Sequence, residues 1–320
     1  MSLINLSNEL ALGIDIGGTN TKFGIVNHRG EILSKETLKT TDYEDVEDFV
    51  DALHSKIKPL LKNFEVGKNF KGIGIGAPNA NFYNGTIEHA PNLNWKGIIP
   101  FAEMITKKFG YSCKITNDAN AAALGEMMYG AAKGMQDFIM ITLGTGVGSG
   151  IIANGQLIYG HDGFAGELGH TIVKPNGREH WSTGSHGCLE AYASATGIAI
   201  TAKKLRAEFP NSMLNEFHED DISSATVHHC AVKGDATAIE VFRYTGQILG
   251  EALANFVMFS SPEAILLFGG VIKAGNFLIE PTKMHMEHNL LPIFRGKVKL
   301  IFSELDEADA AILGASALVW

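Results

Sequence analysis

The sequence predicts an α/β protein built from two similar lobes with a cleft between them. Its 320 residues suggest about two domains. Two strand–turn–strand segments rich in glycine, one starting near Gly13 and the other near Met140, lie roughly one domain length apart, and a hairpin followed by helices comes after each. We interpret this repeat as a duplication, although glycine turns are common and two can look alike by chance. Clefts between domains commonly hold ligands.

The first half of the chain is predicted to alternate strands and helices. In chain order the predicted elements are strands at 10–16, 21–27, 31–39, 72–76 and 112–116 and helices at 101–109 and 119–129. Asp42 is a suitable N-cap for a further helix, because apolar residues from Val46 to Leu61 recur with a period close to 3.6. Residues 79–99 are polar and turn-rich, and we expect a long loop there.

The second half repeats this pattern and ends in helices. Its predicted elements are strands at 138–143, 149–153, 156–159, 264–268 and 297–302 and helices at 235–259 and 307–319. Asn154-Gly155 is a hairpin signal. Asp235 is placed to cap the long helix, and Pro262 lies where that helix should stop.

Composition and charge exclude several classes of protein. The balance of 26 basic and 35 acidic residues gives a net charge of −9, which opposes non-specific binding to nucleic acid and disfavours an anionic membrane surface. No run approaches the ~18 apolar residues of a membrane span, and residues 1–10 lack a signal-peptide pattern. Three cysteines, Cys113, Cys188 and Cys230, do not suggest a disulfide framework. We therefore expect a cytoplasmic protein without nucleic-acid or membrane partners.

Neither glycine turn matches a common nucleotide-binding loop. A Walker A loop needs Gly-Lys followed by Ser or Thr, which the chain does not contain. A dinucleotide fingerprint starting at Gly144 would need glycine where Ser149 stands, and the turn leads into a strand rather than a helix. A Rossmann dehydrogenase is therefore disfavoured.

The two turns are instead suited to hold phosphate groups. Successive glycine N–H groups can converge on an anion, and Thr19 and Thr145 add hydroxyl donors. Asp15, just before the first turn, would repel bare phosphate, so its position predicts Mg²⁺ or its waters between them. Two such turns, one in each lobe, suit the phosphate chain of ATP. Taken alone, either turn is also typical of a tight hairpin.

Five segments together resemble one protein family. They are Gly13-Ile-Asp-Ile-Gly-Gly-Thr-Asn20, Asn117-Asp-Ala-Asn-Ala-Ala-Ala-Leu-Gly-Glu126, Leu143-Gly-Thr-Gly-Val-Gly148, Gly166-Glu-Leu-Gly-His170 and Gly187-Cys-Leu-Glu190. Each segment alone has modest specificity. Together, and in this order, they resemble the ROK family of sugar kinases and repressors over nearly the whole chain. The resemblance implies the actin-like, ribonuclease-H-like ATPase fold. The implied small lobe is residues 1–117 with a returning C-terminal helix at about 305–320, and residues 118–304 form the large lobe.

The resemblance also implies an activity, the ATP-dependent phosphorylation of a hexose, with glucose the leading candidate, at its C6 hydroxyl. Asp118 is the implied general base. The implied sugar contacts are Asn117, Glu167, His170 and Glu190, with Asn79 and Asn92 as further candidates. The implied ATP contacts are Asp15, Gly17, Gly18, Thr19, Asn20, Gly144, Thr145, Gly146 and Gly269.

Each of these assignments has a plainer structural alternative. Asp118 is also a good helix N-cap. Glu190 is placed as an exposed carboxylate at a helix start, and His170 as a hydrogen-bonded core histidine. Trp95 is as suited to packing as to stacking on a sugar.

Many family members carry a zinc site, from which this chain departs. In the family, three cysteines join the histidine that matches His170, whereas here Trp181 and Thr183 replace two of them and Cys188 remains. His180 and His186 could substitute only with a different spacing. Because a structural zinc needs four ligands, we expect none, and we expect Trp181 to brace the loop of His170.

Two other functions within the family are alternatives to a kinase. Its repressors carry an N-terminal helix-turn-helix, and here the first strand is predicted to start by Leu10. A sugar-binding protein without catalysis would not need Asp15, Asp118 and both turns. The sugar itself stays open among glucose, N-acetylglucosamine, N-acetylmannosamine, fructose, mannose and allose. Family members are often dimers, and we expect a homodimer.

Overall fold

The chain folds into strands and helices in alternation. The computed structural model describes residues 9–64, 69–306 and 309–320. The strands are β1 (Leu10–Ile16), β2 (Asn20–Asn27), β3 (Ile32–Lys39), β4 (Phe70–Gly76), β5 (Ala80–Asn81), β6 (Thr86–Glu88), β7 (Ile98–Ile99), β8 (Cys113–Thr116), β9 (Phe138–Leu143), β10 (Val147–Ala153), β11 (Gln156–Leu157), β12 (Ala264–Phe268) and β13 (Lys299–Phe302). The helices are α1 (Val46–Asn63), α2 (Phe101–Phe109), α3 (Asp118–Tyr129), α4 (Glu190–Ala193), α5 (Ala195–Arg206), α6 (Ser224–Val232), α7 (Ala236–Ser260), α8 (Asn276–Asn289) and α9 (Ala310–Ala317).

Two five-stranded sheets share one topology. The first is ordered β3-β2-β1-β4-β8 and the second β11-β10-β9-β12-β13. In each sheet the first three strands are antiparallel neighbours, and the other two extend the sheet parallel to the first strand. Each predicted glycine turn joins the first two strands of its sheet. This repeated strand order agrees with the duplication that the sequence predicts.

Apolar helix faces cover both sheets. On α1, Phe49, Leu53 and Ile57 recur at helical spacing and pack with the apolar residues of β1 and β2. On α7, Leu249 and Leu253 belong to the core that also holds the inward side chains of β9 and β12. Burying these faces fixes each sheet and thereby the loops at its strand ends.

The last helix, α9, returns to the first sheet and packs against β1, β4 and α3. A methyl group at Gly13 would lie 2.1 Å from the Ile312 carbonyl oxygen, and one at Gly74 would lie 1.9 Å from the Ala315 carbonyl oxygen. Both glycines stand within strands, so they serve a close approach of backbones rather than a turn.

The predicted elements are largely confirmed, with two corrections and one helix start that the structure does not describe. The cap of α1 is Asp45, whose Oδ1 accepts from the N–H groups of Glu47 and Asp48 at 2.7 and 3.3 Å, because Asp42 is taken up by a preceding 3₁₀ turn. The predicted loop at 79–99 contains a small antiparallel sheet, β5-β6-β7. The final helix is described from Ala310, and residues 307 and 308 of its predicted start lie outside the described residues.

The described part of the chain contains no helix with the length and apolarity that a bilayer crossing requires.

Candidate active site

Most predicted site residues line two adjoining cavities. The larger, of about 420 Å³, is bounded by Pro78, Asn79, Asn92, Asn117, Asp118, Ala119, Thr142, Gly144, Thr145, Gly146, Val147, Gly148, Ser149, Gly166, Glu167, His170, Glu190, Phe268 and Gly269. The smaller, of about 220 Å³, shares Asp118, Ala119, Thr142 and Phe268 with it and adds Asp15. Asn117, Gly144 and Gly269 directly follow the carboxyl ends of the parallel strands β8, β9 and β12, which is where α/β folds place their ligands.

Asp118 is the first residue of α3 and reaches both cavities. Its side chain is exposed to the cleft, and one carboxylate oxygen accepts a 2.8 Å hydrogen bond from the Ala119 N–H. The N-cap of α3 is Asn117, whose Oδ1 accepts from the Asn120 N–H at 2.7 Å. The capping alternative for Asp118 is therefore wrong, and its carboxylate remains open to a ligand.

Asp15 and Asp118 form an acidic pair in the smaller cavity. Burial, followed by repulsion from Asp118, raises the pKa of Asp15 from its ordinary 3.8 to about 7, against the opposing charge of Lys22. The surrounding walls displace water from Asp118 and raise its pKa as well, although backbone hydrogen bonds favour its ionised form. Such a pair retains a proton near neutral pH or attracts a cation.

Glu167 and His170 stand together at a 3₁₀ turn, Leu168–His170. Desolvation raises the pKa of Glu167, His170 opposes this rise, and Asp118 and Glu190 add to it. The mutual influence of these groups shows that the carboxylates of the larger cavity lie within electrostatic reach of one another.

The three asparagines of the larger cavity differ in how free their side chains are. The Asn117 oxygen caps α3, which leaves its amide nitrogen to donate to a ligand. Asn79, at a φ of 49°, donates from its amide nitrogen to the carbonyls of Glu88 and His89 at 3.1 and 3.4 Å, so its side chain first holds a turn. Asn92 is exposed at the cavity wall.

Glu190 braces the second glycine turn. Its Oε2 accepts a 2.6 Å hydrogen bond from the Val147 N–H, and its Oε1 lies 2.6 Å from Nε2 of His180. A methyl group at Gly146 would come within 2.5 Å of Oε2, so glycine at that position permits the approach. His180 is the residue that sequence reasoning missed here, because it was considered only as a metal ligand.

The second glycine turn directs its amides away from α5. The Gly144 carbonyl accepts from the Ala195 N–H at 2.8 Å, and the Thr145 carbonyl accepts from the Thr196 hydroxyl at 3.1 Å. Because trans peptides point N–H opposite to C=O, the N–H groups of Thr145 and Gly146 face away from α5. Both residues line the larger cavity, so these donors are placed to meet an anion there.

The first glycine turn, Gly17, Gly18, Thr19 and Asn20, lines neither cavity. Gly17 closes the turn by donating to the Asn20 carbonyl at 3.0 Å. A methyl group at Gly18 would lie 2.6 Å from the Asn92 carbonyl oxygen, so the turn borders the larger cavity through Asn92. Gly269, with a φ of 105°, does line the larger cavity, against the end of β9.

Two tryptophans near the site have packing roles. Trp95 is only 4% exposed and packs against the rings of Phe49 and Phe101 at centroid distances of 4.6 and 6.0 Å. Trp181 lies over the ring of His180 at 4.2 Å, so it braces that histidine rather than His170. Within the described ranges, no cluster of three or more His, Cys, Asp or Glu side chains has metal-binding geometry.

A separate cavity of about 700 Å³ lies between Lys174, Tyr192, Lys204 and Tyr244. None of the predicted site residues lines it.

Two lobes with matching sheets, glycine hairpins and an acidic pair at their strand ends define the actin-like, ribonuclease-H-like ATPase fold. The chain belongs to the ROK family, whose sequence pattern matches residues 11–320. The family and fold that the sequence predicts are thus confirmed.

Individual relatives include both enzymes and regulators. The chain is 36% identical to the glucokinase of Halalkalibacterium halodurans over 321 residues, which are 98% of this chain and 96% of that enzyme. The crystal structure of a ROK family glucokinase from Streptomyces griseus in complex with glucose and AMPPNP matches with a TM-score of 0.78 and 32% identity, over 97% of this chain and 99% of that one. The chain is also 29% identical to the xylose repressor of Caldicellulosiruptor bescii, over 96% of this chain and 77% of the repressor.

Proposed function

We propose that the protein is an ATP-dependent hexose kinase that transfers the γ-phosphoryl group to the C6 hydroxyl of glucose. The observation that carries this proposal is the exposure of the Asp118 carboxylate to a cavity that also contains Glu167, His170, Glu190 and the second glycine turn. The related glucokinases, one of them bound to glucose and AMPPNP, support the same assignment.

The sugar binds in the larger cavity. Its hydroxyls each donate and accept, and the side chains there supply both kinds of partner. Carboxylates of Glu167 and Glu190 accept, the amide nitrogen of Asn117 donates, and His170 can do either. Asn79 and Asn92 complete the wall on the side of the small sheet β5-β6-β7.

Asp118 removes the proton from the attacking hydroxyl. Its raised pKa brings the carboxylate closer to the operating range of a general base near neutral pH. Phosphoryl transfer has a loose transition state, so positioning and charge neutralisation supply most of the remaining catalysis. Closure of the lobes on the sugar would exclude water and limit ATP hydrolysis.

The phosphate chain of ATP lies between the two glycine turns. The N–H groups of Thr145 and Gly146 bind it on one side, and Gly17, Gly18, Thr19 and Asn20 bind it on the other once the lobes close. Gly269, which has no side chain, gives the adenosine room to approach.

Mg²⁺ fits the acidic pair. Asp15 and Asp118 repel each other in the ligand-free protein, and a divalent cation would relieve this repulsion. Two carboxylates with phosphate oxygens and water form the usual ligand set of Mg²⁺. When bound, the ion neutralises negative charge on the transferring phosphate.

Three further features belong to the proposal. We place the small lobe at residues 1–117 with the helix at 305–320, and the large lobe at 118–304, because α9 packs on the first sheet. We propose a homodimer, as in many members of the family. The three unpaired cysteines accord with a cytoplasmic location.

A coupled ADP-release assay over hexoses and amino sugars tests the proposal. We expect the highest kcat/KM for glucose, with Mg²⁺ required. A preference for N-acetylmannosamine, N-acetylglucosamine, fructose, mannose or allose would keep the reaction class and change the sugar. No sugar-dependent ADP release from folded protein would refute the kinase and favour a regulatory role like that of the repressors.

A further inference from the structure

We propose that His180 is a positioning residue for the sugar and phosphate sites, acting through Glu190. The inference rests on the proposed function, because it takes Glu190 and His170 as contacts of the sugar. Its basis is a continuous path of hydrogen bonds, His180 to Glu190 to Val147, that runs from a buried histidine on an otherwise exposed loop to the second glycine turn.

The surroundings of His180 fix which ring nitrogen carries the proton. Nδ1 lies 3.2 and 3.4 Å from the backbone N–H groups of Thr183 and Ser182. Backbone N–H groups can only donate, so Nδ1 accepts and is unprotonated. The proton of the neutral ring is therefore on Nε2, which donates to Oε1 of Glu190 at 2.6 Å.

Glu190 transmits this hydrogen bond to the glycine turn. With Oε1 held by His180, the carboxylate plane presents Oε2 to the Val147 N–H at 2.6 Å. A charge-assisted bond of this length holds both partners in one geometry. The carbonyl of Val147 faces the Gly166–His170 segment, where a methyl group at Gly169 would lie 2.2 Å from it. The path therefore joins the segment of Glu167 and His170 to the turn that precedes Val147.

His180 also supports His170 directly. The two rings meet edge to face at a centroid distance of 5.5 Å, and the Trp181 ring packs on His180 at a centroid distance of 4.2 Å. His180 itself is 1% exposed. A buried histidine thus contacts two proposed sugar residues from behind without lining the cavity.

Two amide substitutions of His180 distinguish a positioning role, through the hydrogen bond to Glu190, from a role in packing alone. His180→Gln can place an amide N–H near the position of Nε2 and so donate to Glu190. His180→Asn is shorter; its amide oxygen can accept from the Thr183 N–H, but its nitrogen does not reach Glu190. His186→Asn is the matched control, because His186 is an exposed histidine of the same loop.

We expect H180N to lower kcat/KM for glucose by about tenfold to a hundredfold, the usual effect of losing a hydrogen bond to a charged group. Most of the loss should be a higher KM for glucose, with a smaller rise in KM for ATP. H180Q should recover to within about threefold of the wild type, and H186N should match the wild type. Thermal unfolding confirms that each variant is folded.

Kinetics that do not separate the variants would overturn the inference. If H180N and H180Q are both as active as the wild type, Glu190 does not need the histidine. If both are equally impaired, the ring only fills space.

A second measurement does not depend on turnover. In ligand-free protein labelled with ¹⁵N-histidine, the resonance lost in H180N should be that of a neutral ring protonated on Nε2. The chemical shift of the His180 Nε2 proton should change in the Glu190→Gln variant, because an amide oxygen is a weaker acceptor than a carboxylate. An Nδ1-protonated or doubly protonated ring, or no response to Glu190→Gln, would overturn the inference. If the wild type phosphorylates no sugar, the proposed function fails, and this spectroscopic result alone decides the role of His180.

Discussion

Replacing Asp118 by asparagine tests the proposed general base. The change keeps the side-chain size, and the amide oxygen can still accept the 2.8 Å hydrogen bond from the Ala119 N–H. The cap of α3 is untouched, because Asn117 provides it. The fold should therefore survive while the proton acceptor is lost.

The expected loss in kcat is about 10²- to 10⁴-fold, the usual contribution of a general base. Glu167 lines the same cavity and senses the charge of Asp118, so partial substitution by this carboxylate would bring the loss toward the lower limit. KM for glucose should change little, since the sugar contacts remain.

The coupled ADP-release assay measures kcat, and isothermal titration with glucose measures binding. Asp220→Asn is the control, because this carboxylate is 87% exposed and lines neither cavity. A D118N variant with wild-type kcat would refute the base assignment. So would a folded variant that loses glucose binding and keeps kcat at saturation.

Three other changes test separate features. Asp15→Asn should raise Tm at pH 8 more than at pH 4. Because folding raises the pKa of this carboxyl from 3.8 to about 7, its destabilising effect grows as the pH rises between these two values and is complete above pH 7. Equal shifts at both pH values would contradict this. Gly13→Ala should lower the free energy of unfolding by about 1–3 kcal/mol and therefore lower Tm, since its methyl group would overlap the Ile312 carbonyl. Gly270→Ala is the control and should change Tm little, because there is open space around Gly270. Trp95→Phe should lower Tm and leave KM for glucose within about twofold of the wild type, because the indole packs in the core; a large rise in KM without loss of Tm would restore the sugar-platform interpretation.

Local patterns were enough to predict most of the fold. Strands such as β1 and β9 are mostly apolar runs that end at glycine turns, and α7 has a cap, a helical period and a stop within its own sequence. The strands β5 and β7 have two residues each, which is too few for any periodicity, so their loop could not be read as a sheet.

The errors have tertiary causes. Asp42 and Asp45 both suit an N-cap, and only the 3₁₀ turn at Thr40–Asp42 decides between them. The need for glycine at position 13 comes from a helix almost 300 residues further along the chain.

The candidate site likewise contains residues that the sequence predicts and a contact that it does not. Asp118, Glu167, His170 and Glu190 could be placed through family resemblance, and the structure brings them to one cavity. The hydrogen bond from His180 to Glu190 could not be predicted, because it depends on how the loop folds back through the β-bridges Ile172–Cys188 and Glu179–His186. No sequence spacing encodes that return.

A crystal structure of the protein with glucose and AMPPNP would test the central claim most directly. We predict the glucose O6 atom within about 2.6–3.2 Å of the Asp118 carboxylate, with the phosphate chain contacting the amides of both glycine turns. Glucose O6 beside a different carboxylate, or a phosphate chain bound away from Thr145 and Gly146, would contradict it.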